Sequence, residues 1–321
     1  MPILARRLAL PIVFAGLLLA LAAPSVAAAG PAVPTQSLGN RGADVRAIQG
    51  LLVHHGQPIA IDGVFGTATQ DAVKAFQAAR ALTVDGVVGE NTWTRLIVSL
   101  GPGSSGEAVK VVQRLLNDKR KTGLTVNGVY GAATRNAVVT FRRHMGMTAR
   151  DRVGPVTWRK LVWHYDEPGF KGNGLCDYSV GNGAANWATG AAIGQLEAAA
   201  RAFSALGRGR VPVGDASREH GGDIAGHQSH EVGLDIDVRP MRDAEDQCAW
   251  GTNWRLSSYN RPATRALIKA IRAAAPGHVK VIFFNDPVLI DEGLTRWFSG
   301  HDDHLHVRYC ERWHELKRYR C

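Results

Sequence analysis

The chain has 321 residues, of which 45% are hydrophobic and 21% are charged, and its formal net charge is +10. This length allows about two or three domains, and the composition excludes wholesale disorder, a collagen-like repeat and a protein with many membrane spans. The positive charge favours an anionic partner, but it does not say whether that partner is nucleic acid, a membrane or a polymer.

The N-terminus has the three parts of a secretory signal peptide. Arg6 and Arg7 precede an apolar run over residues 8–22, and small residues follow as far as Ala29. The alternative is a membrane anchor, but the run is short against the ~20 residues that a span needs. We therefore expect residues 1–29 to be removed during export.

Export makes disulfide bonds possible, and four cysteines allow about three pairings. Cys310 and Cys321 lie close together near the C-terminus, which leaves Cys176 and Cys248 to pair. We favour this pairing. A cysteine-rich metal site is not expected, because no two cysteines have the C-x-x-C spacing.

The region before residue 163 contains two copies of one small module. Its Gly, Val, Gln and Leu positions recur at an offset of 64 residues, and later Gly, Thr, Phe and Trp positions recur at an offset of 65. Apolar residues with helical spacing predict three helices in each copy. Gly66 and Gly131 are expected at the start of the second helix, and Trp93 and Trp158 are expected in the core.

Both copies resemble the peptidoglycan-binding type 1 domain. The shared patterns are G-x-x-V-x-x-x-Q-x-x-L, then DG-x-x-G-x-x-T-x-x-A-V-x-x-F, then G-x-x-T-W, over residues 38–97 and 102–162. The second copy departs from the pattern in having Asn127 for the aspartate. The resemblance implies non-catalytic three-helix modules that hold cell-wall peptidoglycan. We expect most of the recurring residues to build the fold rather than to touch the ligand.

The remainder of the chain predicts an α+β domain. The glycine-rich residues 167–186 indicate a linker into this domain, and apolar spacing predicts a helix over residues 188–206. Strands are expected at residues 233–238, 279–284 and 304–309.

Two segments of this domain, residues 227–237 and 300–308, are rich in histidine and aspartate. Residues i and i+2 of a strand share a face, so His304 should point the same way as His306, and Asp235 the same way as Asp237. A catalytic zinc needs three protein ligands and an open position, whereas structural zinc sites usually have four ligands and are rich in cysteine. Two imidazoles and one carboxylate therefore fit a catalytic zinc.

These segments resemble zinc peptidases of the lysostaphin/D-Ala-D-Ala peptidase group. The shared pattern is a histidine with an aspartate seven residues later, and H-x-H near the end. Within the group, residues 226–237, 284–287 and 300–308 are similar to penicillin-insensitive murein endopeptidase. The serine of the broader pattern is displaced here, since Gln228 stands two residues before His230.

The resemblance implies a role for each histidine of these segments. The implied zinc ligands are His230, Asp237 and His306. His304 would be a general base or would stabilise the transition state, while His301 and His227 would line the site. About one zinc ion per chain is expected, held within residues 163–321.

Other polar residues nearby have a weaker claim to a role. Asp235 is interpreted as a surface carboxylate or as one that holds a ligand, because metal-bound histidines usually have such a partner. Glu231 is expected to be solvated. His220, His278 and His314 lie outside the two segments in which histidines stand beside aspartates, and no role is assigned to them.

The fold class is thus multidomain: two small all-α three-helix peptidoglycan-binding modules followed by an α+β zinc peptidase domain. The expected boundaries are 1–29 for the signal peptide, 30–97 and 98–162 for the modules, and 163–321 for the peptidase domain. The expected protein is a monomeric enzyme, secreted or at the cell wall, which hydrolyses peptide cross-links involving D-amino acids.

Two other functions stay open. A zinc D-Ala-D-Ala carboxypeptidase of the same group would carry a glutamate shortly before the second zinc histidine, where this chain has His301-Asp302-Asp303. A non-catalytic peptidoglycan-binding protein would have no need of all three ligands. No contact with a membrane is expected after cleavage, and no nucleic-acid-binding motif is present to make use of the charge.

Overall fold

The computed structural model describes residues 33–178 and 185–321. The predicted signal peptide lies outside the described residues. No helix among the described residues is both long enough and apolar enough to cross a membrane.

Each repeat forms three helices, as the spacing of apolar residues predicts. The helices of the first module are α1 (Ala43–His54), α2 (Thr67–Ala79) and α3 (Glu90–Leu96), and those of the second are α4 (Glu107–Arg120), α5 (Ala132–His144) and α6 (Pro155–Trp163). Gly66 and Gly131 are the N-cap residues of α2 and α5, so this prediction is confirmed.

A buried glutamine ties the first helix of each module to the turn that follows it. Gln49 Nε2 donates to Asp62 Oδ1 (2.8 Å), and Gln49 Oε1 accepts from the N–H of Gly63 (2.8 Å). Gln113 makes the same contacts in the second module, with Asn127 Oδ1 (3.0 Å) in the place of the carboxylate. The amide oxygen of asparagine accepts the same hydrogen bond. These recurring polar residues therefore build the fold, as expected.

The two modules share one hydrophobic core. Trp93 and Trp158 are 2% and 0% exposed, which confirms that both lie in the core. Helix α1 packs against α4, and a Cβ atom at Gly50 would lie 2.4 Å from Val111 Cγ2. Only glycine permits the helices to approach this closely, because any larger residue would clash with the valine.

The C-terminal domain contains a mixed five-stranded sheet. Its strands are β1 (Leu175–Asp177), β2 (Val211–Val213), β3 (Asp235–Val238), β4 (Val279–Phe283) and β5 (Leu305–Tyr309), in the order β1-β2-β3-β5-β4. The pair β1–β2 is parallel, and the other pairs are antiparallel. The helices are α7 (Gly190–Ser204), α8 (Arg261–Ala274) and α9 (Pro287–Asp291), and a 3-10 turn spans Lys317–Tyr319.

The helix expected at residues 188–206 and the three expected strands are confirmed as α7, β3, β4 and β5. The linker expected at residues 167–186 is wrong in part, because it contains β1. This strand has three residues between glycine-rich stretches, too few to show an alternating pattern. Its pairing with β2, more than thirty residues later, makes it a strand.

Both expected disulfide bonds are present. Cys176 is bonded to Cys248 with a Cα–Cα distance of 5.9 Å, and Cys310 is bonded to Cys321 with a Cα–Cα distance of 5.2 Å. The second bond closes the C-terminal segment back onto the end of β5.

The helical modules pack directly against the C-terminal domain. Helix α1 contacts α7, and a Cβ atom at Gly194 would lie 2.5 Å from Gly42 Cα. Beside this contact, the buried Lys119 ammonium pairs with Asp44 Oδ1 (2.8 Å) and Asp166 Oδ1 (3.6 Å). One lysine thus joins both modules and the C-terminal domain.

Candidate functional site

The two central strands present their polar side chains on one face of the sheet. Asp237 pairs with His306, and Asp235 pairs with Arg308, across the antiparallel β3–β5 ladder. The alternating residues between them, such as Ile236, belong to the hydrophobic core shared with α7 and α8. Burial of one face thus forces the aspartates and histidines onto the other.

Three donor atoms from these segments meet at one point. His230 Nε2 lies 3.2 Å from His306 Nδ1 and 3.4 Å from Asp237 Oδ1, and the latter two atoms are 3.2 Å apart. Ligands of a tetrahedral zinc at ~2.0–2.1 Å are themselves separated by about 3.3 Å. Asp237 Oδ1 is buried, and no hydrogen-bond partner for it lies among residues 33–178 and 185–321. The arrangement therefore fits a zinc ion.

The hydrogen bonds behind the two rings set which nitrogens face the centre. His230 Nδ1 donates to the carbonyl oxygen of Ala216 (2.8 Å), and His306 Nε2 donates to Asp235 Oδ1 (2.8 Å). A carbonyl oxygen and a carboxylate accept but do not donate, so both protons lie outside the centre. In their neutral form both rings turn a lone pair inward, as a metal requires.

Asp235 is fully buried and supports His306 from behind. Besides His306, it accepts hydrogen bonds from Arg308 Nε (2.7 Å), Tyr319 Oη (2.5 Å) and the backbone N–H of His230 (3.2 Å). Burial alone would raise the pKa of Asp235, but these donors hold it well below its ordinary value. Asp235 is therefore not a surface carboxylate, and it holds His306, one of the predicted ligands.

The excess of negative charge at the centre favours a cation. Burial lowers the pKa of His306, but the carboxylates of Asp235 and Asp237 outweigh it and raise this pKa to about 9. Burial raises the pKa of Asp237, but His230 and His306 outweigh it and hold this pKa below its ordinary value. Two buried carboxylates therefore attract either a proton or a metal ion.

The backbone of His230 lies in the left-handed region, with φ of 78°. This conformation is uncommon for a residue other than glycine and carries strain. The bonds from its N–H to Asp235 and from its ring to Ala216 hold it in place. The strain directs the imidazole toward β5 rather than toward solvent.

His304 lies beside the three donor atoms without joining them. Its Nε2 is 4.0 Å from Asp237 Oδ1, and its Nδ1 is hydrogen-bonded to Asp303 Oδ1 (2.8 Å). Burial lowers the pKa of His304, yet the bond to Asp303 and the nearby carboxylates raise it overall. His301 is next to it, with ring centroids 4.7 Å apart, and burial lowers the pKa of His301.

His227 lies next to His230. Its ring centroid is 4.5 Å from that of His230, and its Nε2 is hydrogen-bonded to Asp215 Oδ2 (3.1 Å). Donor atoms of His227, His230 and Asp237 all lie within 4.8 Å of one another. The structure thus brings together all six predicted site residues. His306 Nδ1 lies 3.2 Å from both His230 Nε2 and Asp237 Oδ1.

The segment 284–287 positions the loop that carries His301. Asn285 Nδ2 donates to Asp302 Oδ1 (2.8 Å), and Asn285 Oδ1 accepts from the N–H of Phe298 (3.0 Å). The N–H of Asn285 donates to the carbonyl oxygen of His301 (2.9 Å). Asp302 also accepts from Trp254 Nε1 (3.2 Å). Asn285 therefore braces the loop from three directions.

An open cavity of about 520 Å³ gives access to the centre. It is lined by a set of histidines, two phenylalanines, two arginines and small loop residues: Gly226, His227, Gln228, Ser229, His230, Phe283, Phe298, Ser299, Gly300, His301, His304, His306, Arg308 and Arg318.

Some neighbours of the site are not evident from the sequence. Arg308 shares a face with His306, so the alternation of side chains along the strand could have predicted its position. Tyr319 contacts Asp235 from the C-terminal turn, and no sequence pattern predicts this contact. Glu231 is half-exposed and pairs with Arg318 (3.4 Å). His278 lies away from the site, bonded to the carbonyl oxygen of Cys310 (2.9 Å).

Known proteins match the chain in both regions. The family of the putative peptidoglycan binding domain matches residues 41–96 and 105–161, and the family of penicillin-insensitive murein endopeptidase matches residues 181–281. Both resemblances expected from the sequence are confirmed.

Two curated relatives and one solved structure match parts of the chain. N-acetylmuramoyl-L-alanine amidase CwlM of Mycobacterium tuberculosis is 34% identical over 121 residues, which are 34% of this chain and 29% of that protein. Zinc D-Ala-D-Ala carboxypeptidase of Streptomyces albus G is 35% identical over 105 residues, 32% of this chain and 40% of that protein. The chain thus spans less than half the length of either relative. An endolysin of the Burkholderia phage AP3 is 48% identical over 20% of this chain and 24% of its own, with a TM-score of 0.20.

These matches agree with the helical repeats and with the mixed sheet that follows them. The chain carries two copies of a peptidoglycan-binding domain, followed by a domain that matches the penicillin-insensitive murein endopeptidase family.

Proposed function

We propose that the mature protein is an exported zinc-dependent peptidoglycan endopeptidase, which hydrolyses peptide cross-links of the cell wall. The observation that carries this proposal is the meeting of His230 Nε2, His306 Nδ1 and Asp237 Oδ1 at 3.2–3.4 Å from one another. The match of this domain to a murein endopeptidase family supports the reaction class.

In this proposal each region has one task. Residues 1–29 direct export, residues 30–97 and 98–162 hold peptidoglycan, and residues 163–321 carry out hydrolysis. Two linked binding modules keep the enzyme at an insoluble substrate. When one module dissociates, the other remains bound, and the first can rebind nearby. The two disulfide bonds are consistent with an oxidising compartment outside the cytoplasm.

His230, Asp237 and His306 are the proposed ligands of the zinc ion. Zinc bound in this way lowers the pKa of a water molecule toward ~7 and polarises a scissile carbonyl. Asp235 keeps the His306 lone pair directed inward by accepting the proton on the other ring nitrogen. Three protein ligands would leave one position of a zinc ion for a water molecule.

His304 is the proposed proton carrier of the reaction. Asp303 holds its Nδ1, so Nε2 is the atom that faces the centre and can accept or donate a proton there. His301 and His227 line the two sides of the substrate, where they can stabilise a developing oxyanion. A protonated His304 between Asp303 and Asp237 is favoured by the direction of its pKa shift.

The cavity also suggests how a peptide is oriented. Phe283 and Phe298 pack together with ring centroids 4.9 Å apart and form an apolar wall beside His301. Arg318 lines the opposite side and is partly exposed, so it can pair with a carboxylate of the peptide stem. These contacts would place the scissile bond over the three ligands.

A carboxypeptidase remains the second candidate, and one observation speaks against it. Asp302 stands before the H-x-H segment but is occupied by Asn285, Trp254 and Arg255, and Asp303 is bonded to His304. Neither carboxylate is placed to act as the base that a glutamate provides in such enzymes.

Mass spectrometry of purified peptidoglycan treated with the mature protein tests the proposal. Cross-linked dimers should be converted to monomers. Peptidoglycan treated with the Asp237→Asn variant should retain as many dimers as the untreated control. Loss of a single terminal D-Ala would identify a carboxypeptidase instead. An unchanged fragment pattern with zinc-loaded protein would mean that the protein binds peptidoglycan without cleaving it.

The role of the modules is tested separately with the inactive Asp237→Asn protein. It should sediment with insoluble peptidoglycan at moderate salt. Release only at high salt would point to the net charge rather than to specific recognition. Recovery in the supernatant at all salt concentrations would contradict the anchoring role.

A further inference from the structure

A second cluster of metal-binding side chains lies where the second module meets the C-terminal domain. His144 ends α5, His164 follows α6, and Glu219 and His220 belong to the loop between β2 and β3. One donor atom from each of these four residues lies within 4.8 Å of the others. In the sequence these four residues are spread over more than seventy positions, and no motif around His220 predicts that they meet.

Three side chains converge on a single oxygen of this cluster. Glu219 Oε1 lies 3.0 Å from His144 Nε2 and 3.3 Å from His164 Nε2, and it also contacts the Arg120 guanidinium. Donors around a tetrahedral zinc are about 3.3 Å apart when the bonds are ~2.0–2.1 Å long. Both histidine–glutamate distances match this separation.

The buried His164 directs an acceptor nitrogen at the carboxylate of Glu219. It is fully buried, and its Nδ1 donates to the carbonyl oxygen of Tyr165 (2.7 Å), so Nδ1 carries the proton. Its Nε2 then presents a lone pair to Glu219 Oε1, and within the described part of the chain this nitrogen has no hydrogen-bond partner. Two facing acceptors repel unless a cation lies between them.

His220 completes the group from the open side. Its ring stacks on Trp163 with centroids 5.7 Å apart and an interplanar angle of 9°, and it stands edge-on to His164 at 5.0 Å. The stack limits the rotation of the imidazole, which helps to preorganise it. Arg120 is the competing cation, since it reaches Glu219 from α4 and remains partly exposed.

We propose that His144, His164, Glu219 and His220 bind a zinc-class divalent cation, separate from the peptidase centre. Three imidazoles and a carboxylate favour zinc over calcium or magnesium, which take oxygen ligands. Four protein ligands close the coordination sphere, so this site is structural rather than catalytic.

The position of the site indicates the structural effect of a bound cation. His144 comes from the second module, His164 directly follows the last helix of that module, and Glu219 and His220 come from the peptidase domain, so a bound ion cross-links the anchor to the enzyme. It holds the module surface at a constant distance from the cavity. Arg120 moves from Glu219 toward solvent when the ion binds.

The test counts zinc per chain in the mature protein after dialysis against a zinc buffer. The parent should bind about two equivalents, and both His220→Gln and His306→Ala should bind about one. The double variant should bind almost none. His220 and His144 are partly exposed, so His144→Gln serves as a second variant that does not disturb the core. His54→Gln, in the first module, is the matched control and should bind as the parent does.

A thermal measurement on the same samples supplies the structural readout. Zinc should raise the Tm of His306→Ala, and this rise should vanish when His220→Gln is added. Equal zinc contents in His306→Ala and in the double variant would overturn the proposal. Loss of zinc from His220→Gln but not from His306→Ala would refute the peptidase ligands and leave this site standing.

Discussion

At the peptidase centre, each ring nitrogen that faces inward is selected by a hydrogen bond on the other side of its ring. Ala216 holds His230, and Asp235 holds His306. His304 is held in the same manner by Asp303, but its free nitrogen stops 4.0 Å from Asp237 Oδ1. The two histidines of the H-x-H segment therefore differ in role although they face the same way.

This difference predicts separable effects of two substitutions. His304→Ala should keep the zinc content of the parent and lose ~10²–10⁴-fold in turnover, the usual worth of general acid–base help. His306→Ala should lose one equivalent of zinc and more activity, since no nucleophile forms at neutral pH without the ion. Zinc content and turnover are measured on the same folded samples, as judged by circular dichroism.

His54→Ala, which alters a histidine of the first module, is the matched control and should change neither quantity. The assignment fails if His304→Ala loses zinc as fully as His306→Ala. It fails equally if His304→Ala retains near-parental turnover.

At the scale of secondary-structure elements, the site depends on loops that the strands hold in register. The β4–α9 junction braces the 298–304 loop through Asn285, which bonds to Asp302, Phe298 and the backbone of His301. Asp286 next to it caps α9 and accepts from Tyr259 (2.7 Å). The position of His301 is thus set by residues that do not reach the cavity.

Removal of this brace should slow the reaction without loss of metal. Asn285→Ala is expected to lower kcat by ~10–100-fold, because misplacement of a catalytic group by about 1 Å has effects of that order. Zinc content should remain that of the parent. Asn173→Ala, which removes a remote bond to Arg201 (2.9 Å), is the control. Parental kcat in Asn285→Ala would show that the loop needs no brace.

At the scale of the whole molecule, buried charges join the modules to the peptidase domain. Lys119 is 1% exposed and pairs with Asp44 from the first module and Asp166 from the peptidase domain. It also donates to the carbonyl oxygen of His164 (2.6 Å). Such a group resists separation of the parts, since exposure of one partner leaves the others unpaired.

Lys119→Met should destabilise the protein by about 3–5 kcal/mol, because it leaves two buried carboxylates without a counter-charge. Addition of Asp44→Asn and Asp166→Asn should recover much of that loss. The measurement is the urea dependence of unfolding, with Lys171→Met as the exposed control. Equal midpoints for Lys119→Met and Lys171→Met would rule out a stabilising role for the buried ion group.

Glu311 should make the stability of the same junction depend on pH. It is buried, it accepts a hydrogen bond from the N–H of Thr35 (3.2 Å), and burial raises its pKa to about 8. A raised carboxyl pKa means that the folded protein retains a proton which the unfolded chain releases above ~4.3. The contribution to stability is therefore fully present below that pH and is lost as pH rises to about 8.

Glu311→Gln should remove this dependence, because the amide stays neutral. Its Tm should exceed that of the parent at pH 9 and approach it at pH 4, with ~1.4 kcal/mol for each unit of pKa shift. The measurement is Tm across this pH range for both proteins. A constant Tm difference from pH 4 to pH 9 would contradict the assignment.

Much of the fold can be read from the sequence because its signals are local. Helical spacing and the repeat locate the six module helices, and Asp235–Val238 and Leu305–Tyr309 show the alternation of strands with one buried face. The same alternation places Asp237 and His306 on a common face. For these elements, near neighbours in the chain already carry the information.

What the tertiary structure alone decides involves residues far apart in the chain. The common core of the two modules, the short strands β1 and β2, the contact of Tyr319 with Asp235, and the cluster around Glu219 are of this kind. No periodic pattern and no fixed residue spacing in the sequence predicts any of these features. Their side chains meet because buried apolar faces bring whole elements together, and packing at interior density then determines which polar atoms lie within bonding distance.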